Sequence, residues 1–177
     1  MKIATLTLNP ALDKSTAVER LVPEQKLRCA AFQYDAGGGG INVSKGIRKL
    51  GGESTAVFPV AGHNGRRLLE LVAESGVETQ TLELRGETRE NLSVVDKSTE
   101  LQYRFTMPGL EMQESDAEAC LDLVRKFKPE LLVASGSLPP GLPETYYERV
   151  AAFSKEIGAK LVLDTSGTAL QAAADEG

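Results

Sequence analysis

Glu130-Leu131-Leu132-Val133-Ala134-Ser135 runs directly into Gly136-Ser137-Leu138-Pro139-Pro140-Gly141, and this junction decides the fold. The first six residues are an apolar run of strand length, and the next six are a glycine- and proline-rich loop. Pro143 then stands where the first turn of a helix tolerates it, opening a helix expected to reach about Ile157. Lys160–Asp164 reads as the next strand. Upstream, Ala117, Cys120, Leu121, Val124 and Phe127 line one helical face, with Ser115 and Glu118 spaced as a capping box. Strands separated by helices in this way build a parallel α/β sheet.

The same rhythm extends toward the N-terminus. Ile3–Leu8 reads as a strand broken by Asn9-Pro10, and Thr55–Val60 and Val77–Leu84 read as two more. Four consecutive glycines, Gly37 to Gly40, precede a helical pattern at Val43, Ile47 and Leu50 that stops at Gly51-Gly52. Asn64 is placed to cap a helix carrying Leu68, Leu69 and Val72, closed by Gly76. Two stretches break the rhythm, roughly residues 14–35 and 87–107. The first holds short alternations, Leu27-Arg28-Cys29 and Ala31-Phe32-Gln33-Tyr34; the second reads as a hairpin of Asn91–Asp96 and Leu101–Met107 around Lys97-Ser98-Thr99. Together they are expected to form a small β subdomain beside the main sheet. Thr168–Ala174 starts a further helix with no strand after it, so residues 1–177 read as a C-terminally truncated α/β domain.

Composition narrows the function. With 25 acidic against 20 basic residues, a net charge of −5, no Trp and 5% aromatics, the chain has neither the charge nor the stacking surface for nucleic acid. Cys29 and Cys120 lack CxxC spacing and read as free thiols in a reducing compartment. One histidine, His63, leaves little material for a histidine-rich metal centre or a Ser–His–Asp triad. His63 and the Arg66-Arg67 pair read as surface or helix-capping residues. No apolar run approaches a membrane span or a signal peptide, so a cytoplasmic location is expected.

The glycine run is the first candidate site. It is either a tight turn or a ligand loop in which bare backbone and helix N–H groups meet oxygen atoms or anions. Asn42 adds an amide suited to a sugar hydroxyl. The spacing satisfies neither GxGxxG nor a Walker loop, since Ser44-Lys45-Gly46 replaces Gly-Lys-Ser/Thr. Asp13, at the end of the first strand region, reads either as an acceptor for sugar hydroxyls or as a turn cap. Ser135-Gly136-Ser137 and Asp164-Thr165-Ser166 also follow strands, and ligands bind beyond the carboxyl ends of strands in open α/β sheets. Lys26, Arg28, Arg89 and Arg104 fall in the two irregular stretches, as phosphate contacts or as a solvated strand face.

Taken together, Thr5-Leu6-Thr7-Leu8-Asn9-Pro10-Ala11-Leu12-Asp13, Lys26-Leu27-Arg28, Gly37-Gly38-Gly39-Gly40-Ile41-Asn42-Val43, Thr88-Arg89-Glu90-Asn91, Tyr103-Arg104-Phe105 and Ser135–Gly141 resemble the phosphofructokinase B (ribokinase-like) family of sugar kinases. Within it the likeness is greatest to the minor, bacterial type of 6-phosphofructokinase. The resemblance covers essentially the whole chain in collinear order. It implies a Rossmann-type α/β domain with a small β lid, and dimerisation through the lid. It also implies ATP-dependent, magnesium-linked phosphorylation of a phosphorylated ketohexose, fructose 6-phosphate before fructose 1-phosphate or tagatose 6-phosphate. On that resemblance Asp13, Gly38, Gly39 and Asn42 hold the sugar, and Ser137 approaches it. Arg89, helped by Arg104, grips the existing phosphate, and Lys26 reaches between phosphate and nucleotide. The family's Gly-Ala-Gly-Asp general-base motif, its Asn-x-x-Glu motif and its nucleotide pocket have no counterpart in these 177 residues. The 177-residue chain alone is therefore expected to be inactive, and a non-catalytic sugar-phosphate-binding module is the alternative.

Overall fold

The computed structural model describes residues 1–167 and Leu170. Strands β1 (Ile3–Leu6), β4 (Thr55–Ala61), β5 (Glu78–Leu84), β8 (Leu131–Ser135) and β9 (Lys160–Asp164) form one sheet in the order β5-β4-β1-β8-β9. Every pairing in it is parallel. Helices α1 (Gly39–Lys49) and α2 (Gly62–Glu74) cover one face, and α3 (Glu114–Phe127) and α4 (Tyr146–Glu156) cover the other. The mostly parallel α/β architecture expected from the alternation is the one that forms.

The two-residue period of β1 sets the layers. Ala4, Leu6 and, just past the strand, Leu8 enter a core with Leu121, Val150 and Phe153 from the α3–α4 side. Thr5 and Thr7 point to the other face. Thr5 Oγ1 lies 2.9 Å from Ser44 Oγ on α1, and Ile41 N donates to Thr7 Oγ1 at 3.1 Å. A second core, with Ile41, Phe58, Leu68 and Val72, fills the space under α1 and α2.

A second sheet stands beside the first, in the order β3-β2-β6-β7, from β2 (Ala11–Val18), β3 (Gln33–Gly37), β6 (Glu90–Asp96) and β7 (Leu101–Phe105). The β2–β6 pair is parallel, while β2–β3 and β6–β7 are antiparallel. Ala36 at the end of β3 joins the second core, which roots this sheet on the main body.

Several local expectations change. The first strand ends at Leu6, and Asp13 lies within β2 instead of closing a strand of the main sheet. Leu27-Arg28-Cys29 forms no strand, because both edges of β2 are already taken by β3 and β6. That segment is tied only at its ends, by Leu21 N to Asp96 Oδ2 (3.0 Å) and Ala30 N to Ala17 O (2.9 Å). The inner face of α1 is Gly40, Ile41 and Ser44, not Val43, Ile47 and Leu50, and Leu50 is 90% exposed. At Gly40 the helix approaches the end of β1 so closely that a Cβ would lie 2.8 Å from Leu6 O.

Helix starts also move. Asn64 sits inside the first turn of α2, whose free N–H at Asn64 is met by the Glu87 carboxylate from another part of the chain. Gln113 and Asp116 form the capping box of α3, while Glu118 pairs with Arg149 of α4. A turn separates Pro143 from α4, with Tyr146 N donating to Pro143 O at 2.9 Å. The helix expected over Thr168–Ala174 lies outside the described residues apart from Leu170.

Candidate functional site

The four glycines sit where the two sheets converge, and each bare Cα makes room for a close neighbour. A Cβ on Gly37 would overlap the Asp13 carboxylate, and one on Gly39 would overlap Ser135 Oγ. On Gly40 it would come within 2.8 Å of Leu6 O and 2.7 Å of Thr7 Oγ1. Gly38 has φ 135°, a backbone conformation that side chains disfavour, and serves as N-cap of α1. The run is therefore a point of close backbone packing at the start of a helix. Asn42 lies exposed in the first turn of that helix.

A continuous line of hydrogen bonds joins three of the expected site residues. Asn91 Nδ2 donates to Asp13 Oδ1 (2.9 Å), and Asn91 Oδ1 accepts from Met107 N (3.2 Å). Met107 O accepts from Arg89 Nη1 (3.3 Å), and Arg89 Nη2 donates to Asn9 O (2.9 Å). Asn9 Nδ2 then donates to Ser137 Oγ (3.1 Å) and Leu138 O (3.2 Å). Burial pushes the Arg89 guanidinium below its ordinary value, while the nearby Asp13 charge favours the cation.

Two concavities flank this line. One of about 290 Å³ is lined by Asp13, Asp35, Asn91, Ser93 and Arg104. The pairing register explains the set, because Asp13 lies opposite both Asp35 and Asn91, and Ser93 opposite Arg104. The other, of about 420 Å³, is lined by Asn9, Arg89, Gly109 and Leu138–Pro140. Lys26 and Arg28 are exposed on the irregular segment and line neither of the two. A separate cavity of about 370 Å³ at the opposite end of the main sheet, near Lys2, Arg48 and Phe127, gathers none of the expected site residues.

The strand ends of the main sheet also meet. Ser135 Oγ donates to Asp164 Oδ2 at 2.8 Å, and Tyr147 OH donates to Gly136 O at 2.8 Å. Burial raises the Tyr147 hydroxyl, keeping it a donor. Cys120 is pushed up to about 12 by burial and is an inert core thiol, whereas Cys29 is exposed. Among the described residues, no group of three or more His, Cys, Asp or Glu converges to hold a metal ion.

Sequence reasoning missed Asn9 and Asn91. The i, i+2 spacing of Arg89 and Asn91 puts both on one face of a strand and was a usable signal for Asn91. Asn9 offered none, since Asn-Pro reads simply as a strand break.

Residues 7–175 match the pfkB family of carbohydrate kinases, and the chain belongs to that family. Over 172 residues it is 45% identical to the ATP-dependent 6-phosphofructokinase isozyme 2 of Mycobacterium tuberculosis, covering 96% of this chain and 51% of that protein. The Escherichia coli K12 protein of the same name is 40% identical over 174 residues, with 98% and 56% covered. The crystal structure of Escherichia coli phosphofructokinase-2 in complex with fructose-6-phosphate superposes with a TM-score of 0.93 at 40% identity, covering 99% of this chain and 58% of that one. The chain thus spans about half the length of the curated relatives it matches, and its fold is theirs.

Proposed function

We propose that this chain supplies the sugar-phosphate site of an ATP-dependent kinase acting on a phosphorylated ketohexose, foremost fructose 6-phosphate to fructose 1,6-bisphosphate. The observation that carries the proposal is the hydrogen-bonded line from Asp13 through Arg89 to Ser137 beside the glycine loop. Asp13 accepts from sugar hydroxyls, and Gly38, Gly39 and the Asn42 amide take the adjacent hydroxyls. Arg89 has two of its five N–H groups left over after its three backbone carbonyl partners, which suits a phosphate fork. Arg104 adds a second cation from the neighbouring strand, and Ser137 closes on the sugar. Lys26, exposed on its tethered segment, reaches the phosphate region when that segment folds over.

ATP supplies the transferred phosphoryl group and Mg²⁺ offsets its charge. Among the described residues no group of three or more His, Cys, Asp or Glu gathers to hold the metal ion. The alternative reading is a non-catalytic sugar-phosphate-binding module. Calorimetric titration with fructose 6-phosphate, fructose 1-phosphate and tagatose 6-phosphate, paired with a coupled turnover assay, separates the choices. Tighter binding of fructose 1-phosphate would overturn the favoured substrate. Relatives 33% and 30% identical, named 1-phosphofructokinase and tagatose-6-phosphate kinase, make that comparison the informative one.

The second sheet acts in this proposal as a lid with two unlike faces. Its polar face carries Asp13, Asn91 and Arg104. The opposite face presents Tyr34, Leu101, Tyr103 and Phe105, each more than a third exposed, with Phe32 beside them. A second copy of the chain covers that apolar face, giving a homodimer in the cytoplasm. Apolar clustering on this scale marks an association surface.

A further inference from the structure

We propose that Asn91 is a positioning residue for Asp13, holding its carboxylate in the rotamer that receives the sugar. The inference rests on the sugar-phosphate reading above and adds a residue to it. Asp13 and Asn91 are register partners of the parallel β2–β6 pair, so their side chains emerge on the same face of the second sheet. Asn91 Nδ2 donates to Oδ1 of Asp13 at 2.9 Å and thereby occupies one carboxylate oxygen. The whole carboxylate lies over Gly37, where the missing Cβ leaves it room, and Oδ2 is the atom nearest that position. One oxygen is thus tied down and the other is left to accept at the mouth of the glycine loop.

The amide cannot turn over freely, because its own oxygen accepts from Met107 N at 3.2 Å. Met107 O in turn accepts from Arg89 Nη1, so the carboxylate and the guanidinium are referred to the same residue, through the peptide units on either side of its Cα. A carboxylate without the Asn91 bond would rotate about χ1 and χ2, and ligand binding would then carry the cost of ordering it. An aspartate at 91 would keep the shape but set two like charges about a hydrogen-bond length apart.

The test is a double-mutant cycle on fructose 6-phosphate affinity, using the 177-residue chain. Asn91→Ala weakens binding by ~10-fold when Asp13 is present and by less than ~2-fold in the Asp13→Ala background. Asn91→Asp, close to isosteric, weakens binding more than Asn91→Ala does. Melting temperatures report folding separately, and the isosteric variant decides the matter if the alanine variant does not fold. Equal losses with and without the Asp13 side chain, or unchanged affinity in Asn91→Ala, would overturn the proposal and leave the substrate reading standing. An unmutated chain that does not bind the sugar phosphate would overturn both.

Discussion

Arg89 reaches back across 80 residues of sequence to donate from Nη2 to the main-chain oxygen of Asn9, 2.9 Å away. Its Nε and Nη1 meet the carbonyls of Pro10 and Met107. One guanidinium therefore ties the exit of β1 to the entry of β6 and the end of β7. Lysine carries the charge but cannot span three acceptors. Arg89→Lys is expected to lower fructose 6-phosphate affinity by roughly 10–100-fold and stability by about 1–2 kcal/mol, the latter because partly buried carbonyls lose their donors. Calorimetry and urea denaturation measure the two effects.

The glycines are expected to separate binding from folding. Gly37→Ala forces the Asp13 carboxylate aside, so sugar-phosphate affinity falls while the midpoint of unfolding changes little. Gly40→Ala pushes α1 away from Leu6 O and Thr7, and overpacking of this kind costs ~1–3 kcal/mol. Denaturant titrations of the two variants, each followed by ligand titration, should show opposite rankings.

Asp96 should make the second sheet acid-sensitive. It accepts from Leu21 N, Ser98 Oγ and Ser98 N, and these bonds, led by that from Leu21, hold it below the ordinary carboxylate value of 3.8. A lowered folded-state value contributes stability that is complete above the ordinary value and lost as pH falls through the lowered one. The Leu21 amide proton resonance is therefore expected to hold steady from neutral pH down to about 4, then move upfield as the bond to Asp96 is lost. Asp96→Ala should give the acid position at neutral pH.

Assembly is open to a direct measurement. Tyr103→Glu combined with Phe105→Glu places charge on the exposed apolar face of β7 without touching the main-sheet core. Sedimentation velocity should show a dimer for the unmodified chain and a monomer for the double variant, with far-UV circular dichroism unchanged. A monomer in both would remove the proposed homodimer.

Much of the fold was legible because the main sheet obeys local rules. Leu131–Ser135 and Lys160–Asp164 are apolar strands in a helical alternation, and their limits fell within a residue of the observed ones. What escaped depended on partners far away in sequence. The start of α2 is set by Glu87, not by a local Asn64 cap, and the inner face of α1 follows from Thr5 of β1 and Thr7 just past it. The candidate site was legible at its glycines and at Arg89, whose residue types advertise close approach and anion binding. Asn9 stayed hidden, since its amide reveals a role only once Ser137 and Leu138 are in place, while Asn91 was open to the i, i+2 spacing from Arg89.

The second sheet makes three successive residues of β2 answer to three different surroundings. Leu12 is buried, Asp13 faces the glycine loop, and Lys14 stacks on the rings of Phe32 and Tyr34 on the opposite face. A side-chain exchange at any of them disturbs one relationship. Inserting or deleting a single residue between Ala11 and Lys14 would transpose them all, presenting the lysine to the sugar and the aspartate to the apolar face. This strand should therefore drift in spelling over evolutionary time while its length stays fixed.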